Sequence, residues 1–308
     1  NTLLAPCSGG PKPDNSNPCA GTRIRGPIDF RHVSLEGYIE PDLKPMKSQE
    51  VSFGIDHQLS ATMAVGVRYV HKQLDYGIED VGQLDADQNE IYLIANPGFG
   101  IASTVYDVEG NIYTTPPYPE AKRDYDSVEF RLRKRLANNW SLNASYTWSR
   151  LYGNYSGLAS SDEGGRTDPN VSRYFDAPYM SWTARAGSPD ERVNDGALYT
   201  DRPHVGKVQA TYDFNWGTSL GLNALFQSGV PVGALVGWQG YPVFIETRDN
   251  LGRTPFQQRY DLQVMQEFRF GRSQRLMVGV NIDNMFDLKT VTDYNQTINR
   301  NSLRLGDD

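Results

Sequence analysis

The feature of this sequence that most restricts its fold is a strict period-two alternation of apolar and polar residues, repeated in pairs of segments joined by very short turns. In 47–57, Val51, Phe53 and Ile55 alternate with Glu50, Ser52, Gly54 and Asp56; after a turn at 57–60, Met63, Val65, Val67 and Tyr69 alternate with Thr62, Ala64, Gly66 and Arg68. A second pair sets Val128, Phe130 and Leu132 against Ser127, Glu129, Arg131 and Arg133, turns at 137–139, and returns with Trp140, Leu142, Ala144, Tyr146 and Trp148 against Ser141, Asn143, Ser145, Thr147 and Ser149. A third joins Val208, Ala210, Tyr212 and Phe214 to Leu220, Leu222, Ala224 and Phe226 across a turn at 215–218. The fourth runs through Tyr260, Leu262, Val264, Phe268 and Phe270, turns at 271–274, and returns through Leu276, Val278, Val280 and Ile282. Each pair reads as a β-hairpin with one apolar and one polar face.

Between the hairpins lie long polar stretches, 71–124, 151–203 and 229–257, with flanks at 1–46 and 287–308. Loops beyond about 15 residues are uncommon in compact domains, and here they fall only between hairpins, never within one. Short turns on one side and long loops on the other are the pattern of an outer-membrane barrel. Each strand carries about 10 alternating residues, enough to cross a bilayer when tilted. Aromatic residues gather at both ends of the apolar bands: Trp140, Phe214, Trp216, Phe268 and Phe270 near the short turns, and Tyr69, Trp148, Phe226 and Tyr260 near the long loops. Two interfacial girdles would look like this. The same periodicity also suits the core of a soluble β-sandwich, but a sandwich gives no reason to collect its long loops on one side. The fold expected is therefore all-β, an antiparallel transmembrane β-barrel portion of about eight meandering strands, with short periplasmic turns and long extracellular loops.

Composition agrees and closes off other classes. Only 38% of the 308 residues are hydrophobic, as expected where lipid-facing and lumen-facing residues alternate. No run of about 18 apolar residues exists to form a membrane helix. A net charge of −7 without a basic cluster excludes the usual footprint of a nucleic-acid binder. The chain begins at Asn1 with neither an initiator Met nor a signal pattern, so an export signal is expected outside this sequence. Cys7 and Cys19 lie in one Pro/Gly/Asn-rich segment. Their spacing fits neither a redox CxxC nor a four-ligand zinc site, and suggests a disulfide within an extracellular loop; the alternative is two free thiols.

Chemistry-bearing constellations are sparse. His32, His57, His71 and His204 are scattered, and none stands at ligand spacing from another histidine or a cysteine. The string Asp85-Ala86-Asp87-Gln88-Asn89-Glu90 has alternating oxygen donors but lacks the glycine and the spaced glutamate of a calcium loop. Gly153-Asn154-Tyr155-Ser156-Gly157 lacks the strand-turn-helix setting of a nucleophile elbow. No catalytic residue, metal site or cofactor is expected.

Several strings resemble the barrel of the TonB-dependent receptors, in particular the Oar-like group that carries an N-terminal carboxypeptidase-regulatory-like domain: PDLKPMKSQEVSFGIDHQL, IANPGFG, RDYDSVEFRLRKRLANNWSLNASYTWSRLYGNYSG with the residues up to SRYFD, GALYTDRPHVGKVQATYDF, FQSGVPVG and VNIDNMFD. The resemblance runs from about Pro41 to the end, and its weight lies in the order of the strings. It implies the later part of a larger barrel, whose plug domain and TonB-binding segment have no counterpart here. It further implies an outer-membrane receptor or transporter in contact with lipid and an extracellular ligand, served by TonB through the plug, with a surface lipoprotein or neighbouring chain as a further partner. Among loop residues, Tyr152, Tyr155, Tyr174, Tyr179 and Tyr199 with Arg166, Arg173 and Arg185 are the candidates for ligand contact, because rigid aromatics and forked guanidinium groups suit binding surfaces. The alternative is a structural or adhesive barrel that meets a protein partner or the surface layer.

Three structural features are expected. Val128, Phe130, Leu132, Leu142, Ala144 and Tyr146 should share the lipid face, with Glu129, Arg131, Arg133, Asn143 and Ser145 opposite. Segment 1–46 should be a loop region feeding the first strand, and 287–308 a loop whose returning strand is missing. The first and last strands should therefore not close an eight-stranded barrel on themselves.

Overall fold

The computed structural model describes residues 39–84, 90–100, 105–106, 112–113, 120–157, 195–238, 241–244, 248–271, 273–296 and 298. Cys7 and Cys19 lie outside them. The first hairpin is β1 (Lys47–Gln58) with β2 (Met63–Tyr76). The stretch that follows contains β3 (Glu79–Leu84) paired with β4 (Glu90–Ala95), and the short β5 (Val105–Tyr106) paired with β6 (Ile112–Tyr113). The second hairpin is β7 (Arg123–Ala137) with β8 (Trp140–Gly153), and β9 (Gly196–Ala197) pairs antiparallel with the end of β8. Strands β10 (His204–Asp213) and β11 (Thr218–Gln227) form the third hairpin. Next come β12 (Leu235–Trp238) and β13 (Tyr241–Phe244), and the fourth hairpin is β14 (Gln257–Phe270) with β15 (Gln274–Ile282).

The four hairpins join in one antiparallel meander, β1-β2-β7-β8-β10-β11-β14-β15. Among the described residues β1 and β15 do not pair with each other, so these eight strands do not close a ring by themselves. The interstrand segments are not strandless loops, since β3 to β6, β9, β12 and β13 lie in them. The wall strands also run past the alternating stretches at their loop ends, with β2 continuing to Tyr76 and β7 beginning at Arg123. Beyond the apolar band the alternation breaks down, with His71, Gln73 and Asp75 on the face that held Val65, Val67 and Tyr69, yet the ladder continues.

Register fixes the faces. Ile55, Val67, Phe130, Tyr146, Gly206 and Phe226 occupy one row across six strands, and Val65, Leu132, Ala144, Val208, Ala224 and Tyr260 occupy the next. Asp56, Gly66, Arg131, Ser145 and Lys207 form a row of the opposite face. The apolar face is not covered: Phe53 is 67% exposed, Ile55 76%, Trp148 57% and Val280 56%. A soluble sandwich would bury this face under a second sheet. An apolar wall of eight strands left open has lipid as its solvent.

The short turns suit their sequences. Asn138 and Asn139 both adopt positive φ, 53° and 70°, the conformation of a two-residue hairpin turn whose twist matches the strands. Lys134 closes that turn, its Nζ donating to the carbonyls of Ala137 (2.6 Å) and Trp140 (2.7 Å) and lying 3.9 Å from the centre of the Trp140 ring.

Candidate functional site

Most of the buried residues are not in the wall but at its loop end. Val81, Ala95, Tyr155, Leu198, Val230, Ala234, Leu235 and Phe244 are buried there beside Glu79, Asn96, Asn154, Asp201, Arg248 and Thr254. Where the strands leave the apolar band, their connections fold onto one another, and polar side chains supply the partners that irregular backbone lacks.

Three junctions hold this body together. Asn96, 1% exposed, donates to the carbonyls of Gly77 (2.7 Å) and Lys44 (2.9 Å) and accepts from the Lys44 amide (2.7 Å). One amide thus ties the stretch before β1, the end of β2 and the β4 turn. Asn154 accepts from the Lys122 amide (2.7 Å) and donates to the Glu120 carbonyl (3.0 Å). Its own carbonyl accepts from Arg248 Nη2 at 2.8 Å, which reaches across from the 229–257 connection. Asp201, 2% exposed, accepts from the Leu151 amide (2.6 Å) and pairs with Arg253, whose Nη1 donates to the Asp201 carbonyl (2.9 Å).

The tyrosines expected to meet a ligand divide into two groups. Tyr155 is 1% exposed and donates its hydroxyl to the Ile78 carbonyl at 3.0 Å. Burial raises its phenol above the ordinary tyrosine value, so it stays neutral, and its ring packs the loops instead of presenting a surface. Tyr152 is half-buried, with the Arg150 guanidinium 4.3 Å and Lys122 Nζ 5.6 Å from its ring centre. Tyr199 is half-buried in the turn after β9. Arg166, Arg173, Tyr174, Tyr179 and Arg185 lie outside the described residues. Nearby, Arg202 donates to the Ser228 carbonyl at 2.6 Å, and burial lowers its pKa from the ordinary arginine value.

Sequence reasoning missed Asn96, Asp201, Arg248 and Arg253. Asn96 stands in IANPGFG and Asp201 in TDRPHVG, strings in which the polar residue carries no local signal of its role. Arg248 and Arg253 carry no local pattern, since their partners lie 94 and 52 residues away.

On the polar face of the wall a cavity of about 500 Å³ opens, lined by Ser141, Asn143, Gln209, Thr211, Asp261 and Asn281 among others. Hydrogen bonds cross the strands here, as between Ser141 and Thr211 (2.6 Å) and from Gln263 to Asn281 (3.0 Å). Such a surface offers hydroxyls, amides and charges but no nucleophile paired with a base.

Comparison with known proteins accords with this architecture. The TonB-dependent transporter Oar of Myxococcus xanthus is 29% identical over 266 residues, covering 84% of this chain and 22% of that protein. The chain thus spans about a fifth of the length of that relative. Among solved structures, the outer membrane transporter YddB of Escherichia coli superposes with a TM-score of 0.50 at 15% identity, over 82% of this chain and 30% of that one. The ferric-catecholate import receptor Fiu of E. coli K12 gives 0.45 at 14%, over 83% and 26%. The family model of the outer membrane beta barrel domain matches residues 14–245. With its exposed apolar wall, short turns and folded loop end, the chain belongs to the outer membrane beta barrel domain family, and its place is the bacterial outer membrane.

Proposed function

We propose that this chain supplies wall strands and outer loops of a receptor that takes up an extracellular ligand in TonB-dependent fashion. The observation that carries the reading is the loop body itself, a buried and hydrogen-bonded assembly at one end of a wall whose apolar face is open to lipid. A barrel serving only as an anchor needs no such pre-organised body, whereas a binding surface gains affinity from being held in place before the ligand arrives. The similarity to a TonB-dependent transporter supports uptake as the activity of the complete protein.

In this reading residues 47–286 form the membrane strands and their long extracellular loops, and 1–46 and 287–308 are flanking extracellular segments. Tyr152 and Tyr199, with Arg166, Arg173, Tyr174, Tyr179 and Arg185, contact the ligand, and Tyr155 holds the surface on which they stand. TonB acts through a plug domain elsewhere in the polypeptide; a surface lipoprotein or neighbouring chain is a further partner. Deleting 158–194 from the complete protein tests the idea. Lost uptake with normal levels of the protein in the outer membrane is the expected result. Intact uptake with lost cell contact would replace the receptor by an adhesive barrel.

A further inference from the structure

At the loop end of the apolar band, on the same outward face, β2, β7 and β8 carry a polar row. His71, Asp126 and Arg150 stand side by side in it, and the row beneath holds Tyr69, Val128 and Trp148. Tyr69 and Trp148 are exposed, and Val128 between them is short, so the wall has a notch at β7 between two rings. Asp126 and Arg150 are directly opposite, about 5 Å apart at Cβ, yet among the described residues no ion pair joins them. Each is held by other groups. Asp126 Oδ1 accepts from the Tyr69 hydroxyl (2.8 Å) and lies 2.8 Å from His71 Nδ1, while the Arg150 guanidinium lies against the Tyr152 ring, 4.3 Å from its centre. Among the described residues Asp126 Oδ2 accepts no hydrogen bond, and the exposed Arg150 guanidinium donates none.

We infer that this notch seats the zwitterionic phosphoethanolamine headgroup of a membrane lipid, its phosphate on the Arg150 guanidinium and its ammonium on Asp126 Oδ2. The inference rests on the apolar face meeting lipid, and not on uptake or on any ligand in the loops. Tyr69 and Trp148 belong to the loop-end aromatic girdle, which marks the level where hydrocarbon gives way to headgroups. The row above them therefore meets phosphate and amine. A guanidinium only donates and an ionised carboxylate only accepts, so the pair fits a headgroup that carries both charges. A purely anionic headgroup would face Asp126 and, one row higher, Asp124, and a choline has no N–H to give. Beneath the notch Val67, Phe130 and Tyr146 are exposed in one row and continue the apolar face along which the acyl chains would lie.

The test is native mass spectrometry of the purified complete protein in detergent micelles, with dioleoyl lipids that differ only in headgroup: phosphatidylethanolamine, its mono- and dimethylated forms, phosphatidylcholine and phosphatidylglycerol. In the wild type, retention should fall stepwise as methyl groups replace N–H, and phosphatidylglycerol should be retained less than phosphatidylethanolamine. Arg150→Gln should cut retention of phosphatidylethanolamine about fivefold, the worth of one basic side chain at a lipid surface. Asp126→Asn should abolish the preference for phosphatidylethanolamine over phosphatidylglycerol, and Arg68→Gln, on the polar face, should change nothing. Equal retention of phosphatidylethanolamine, phosphatidylcholine and phosphatidylglycerol by the wild type would overturn the site. So would unchanged retention by both Arg150→Gln and Asp126→Asn. The methylation series is read on the wild type, so it decides the matter even where a variant fails to fold. Free phosphoethanolamine at the lipid's concentration should displace none of the lipid; displacement would overturn a lipid as the occupant. No energy source and no loop variant enters, so a failure of uptake in cells leaves the outcome intact.

Discussion

Removing the Tyr155 hydroxyl takes the donor from the Ile78 carbonyl inside the loop body. Tyr155→Phe should loosen that body by about 1–2 kcal/mol, read as faster limited proteolysis of the connections while the wall stays protected. The same residue sets a pH dependence. Burial holds its phenol above the ordinary value, so the fold prefers the neutral form. That contribution is complete below the unfolded tyrosine value of about 10 and is lost as pH rises beyond it. Alkaline proteolysis of the loops should therefore accelerate in the wild type and accelerate less in Tyr155→Phe; identical profiles would remove Tyr155 from the account. Gly229 is a sharper case, because a Cβ there would lie 1.7 Å from the Thr254 carbonyl oxygen. Gly229→Ala must push apart the hydrogen bonds from the Thr254 amide to the Val230 carbonyl and from the Val230 amide to Thr254 Oγ1, and should expose the 229–257 connection to protease more than Tyr155→Phe does.

The wall strands were legible because a lipid face writes period two into every strand that crosses it, and a slip of one residue would reverse all of them. Phe130 and Arg131, neighbours in sequence, stand on opposite faces as the alternation requires. The loop ends were not legible, since the polar residues that fix them find their partners far along the chain. Ring tyrosines in loops suggested contact with a ligand, yet composition cannot tell Tyr155, which is buried, from Tyr152, which is half-buried. The face assignment has its own test. Leu132→Arg should destabilise the complete protein folded into phosphocholine vesicles by about 2–4 kcal/mol if that row lies near the bilayer midplane. Arg133→Leu, one residue along and on the other face, should cost far less in the same urea titration. In the turn, Asn139→Val forces a β-branched residue to a φ of 70° and should cost about 1–2 kcal/mol, whereas Asn139→Gly should be neutral.

At the scale of the whole molecule the wall has two outer edges. Among the described residues β1 hydrogen-bonds to β2 alone and β15 to β14 alone, and both are exposed along their full lengths. Each outer edge presents backbone donors and acceptors within the thickness of the bilayer, where no water meets them and each unsatisfied group costs several kcal/mol. Their apolar faces nonetheless continue the wall without interruption, with Val51, Phe53 and Ile55 at one side and Leu276, Val278 and Val280 at the other. Lipid tolerates only a closed ladder, so both edges require partner strands from elsewhere in the polypeptide or from a neighbouring chain. Amide exchange separates this from self-closure. In the complete protein reconstituted in lipid, β1 and β15 should be protected as strongly as the central β8. In residues 1–308 alone, held in micelles, the outward amides of β1 and β15 should exchange far faster than those of β8. Equal protection of all three strands in the shorter chain, together with a cross-link between cysteines placed in β1 and β15, would mean that eight strands close on themselves after all.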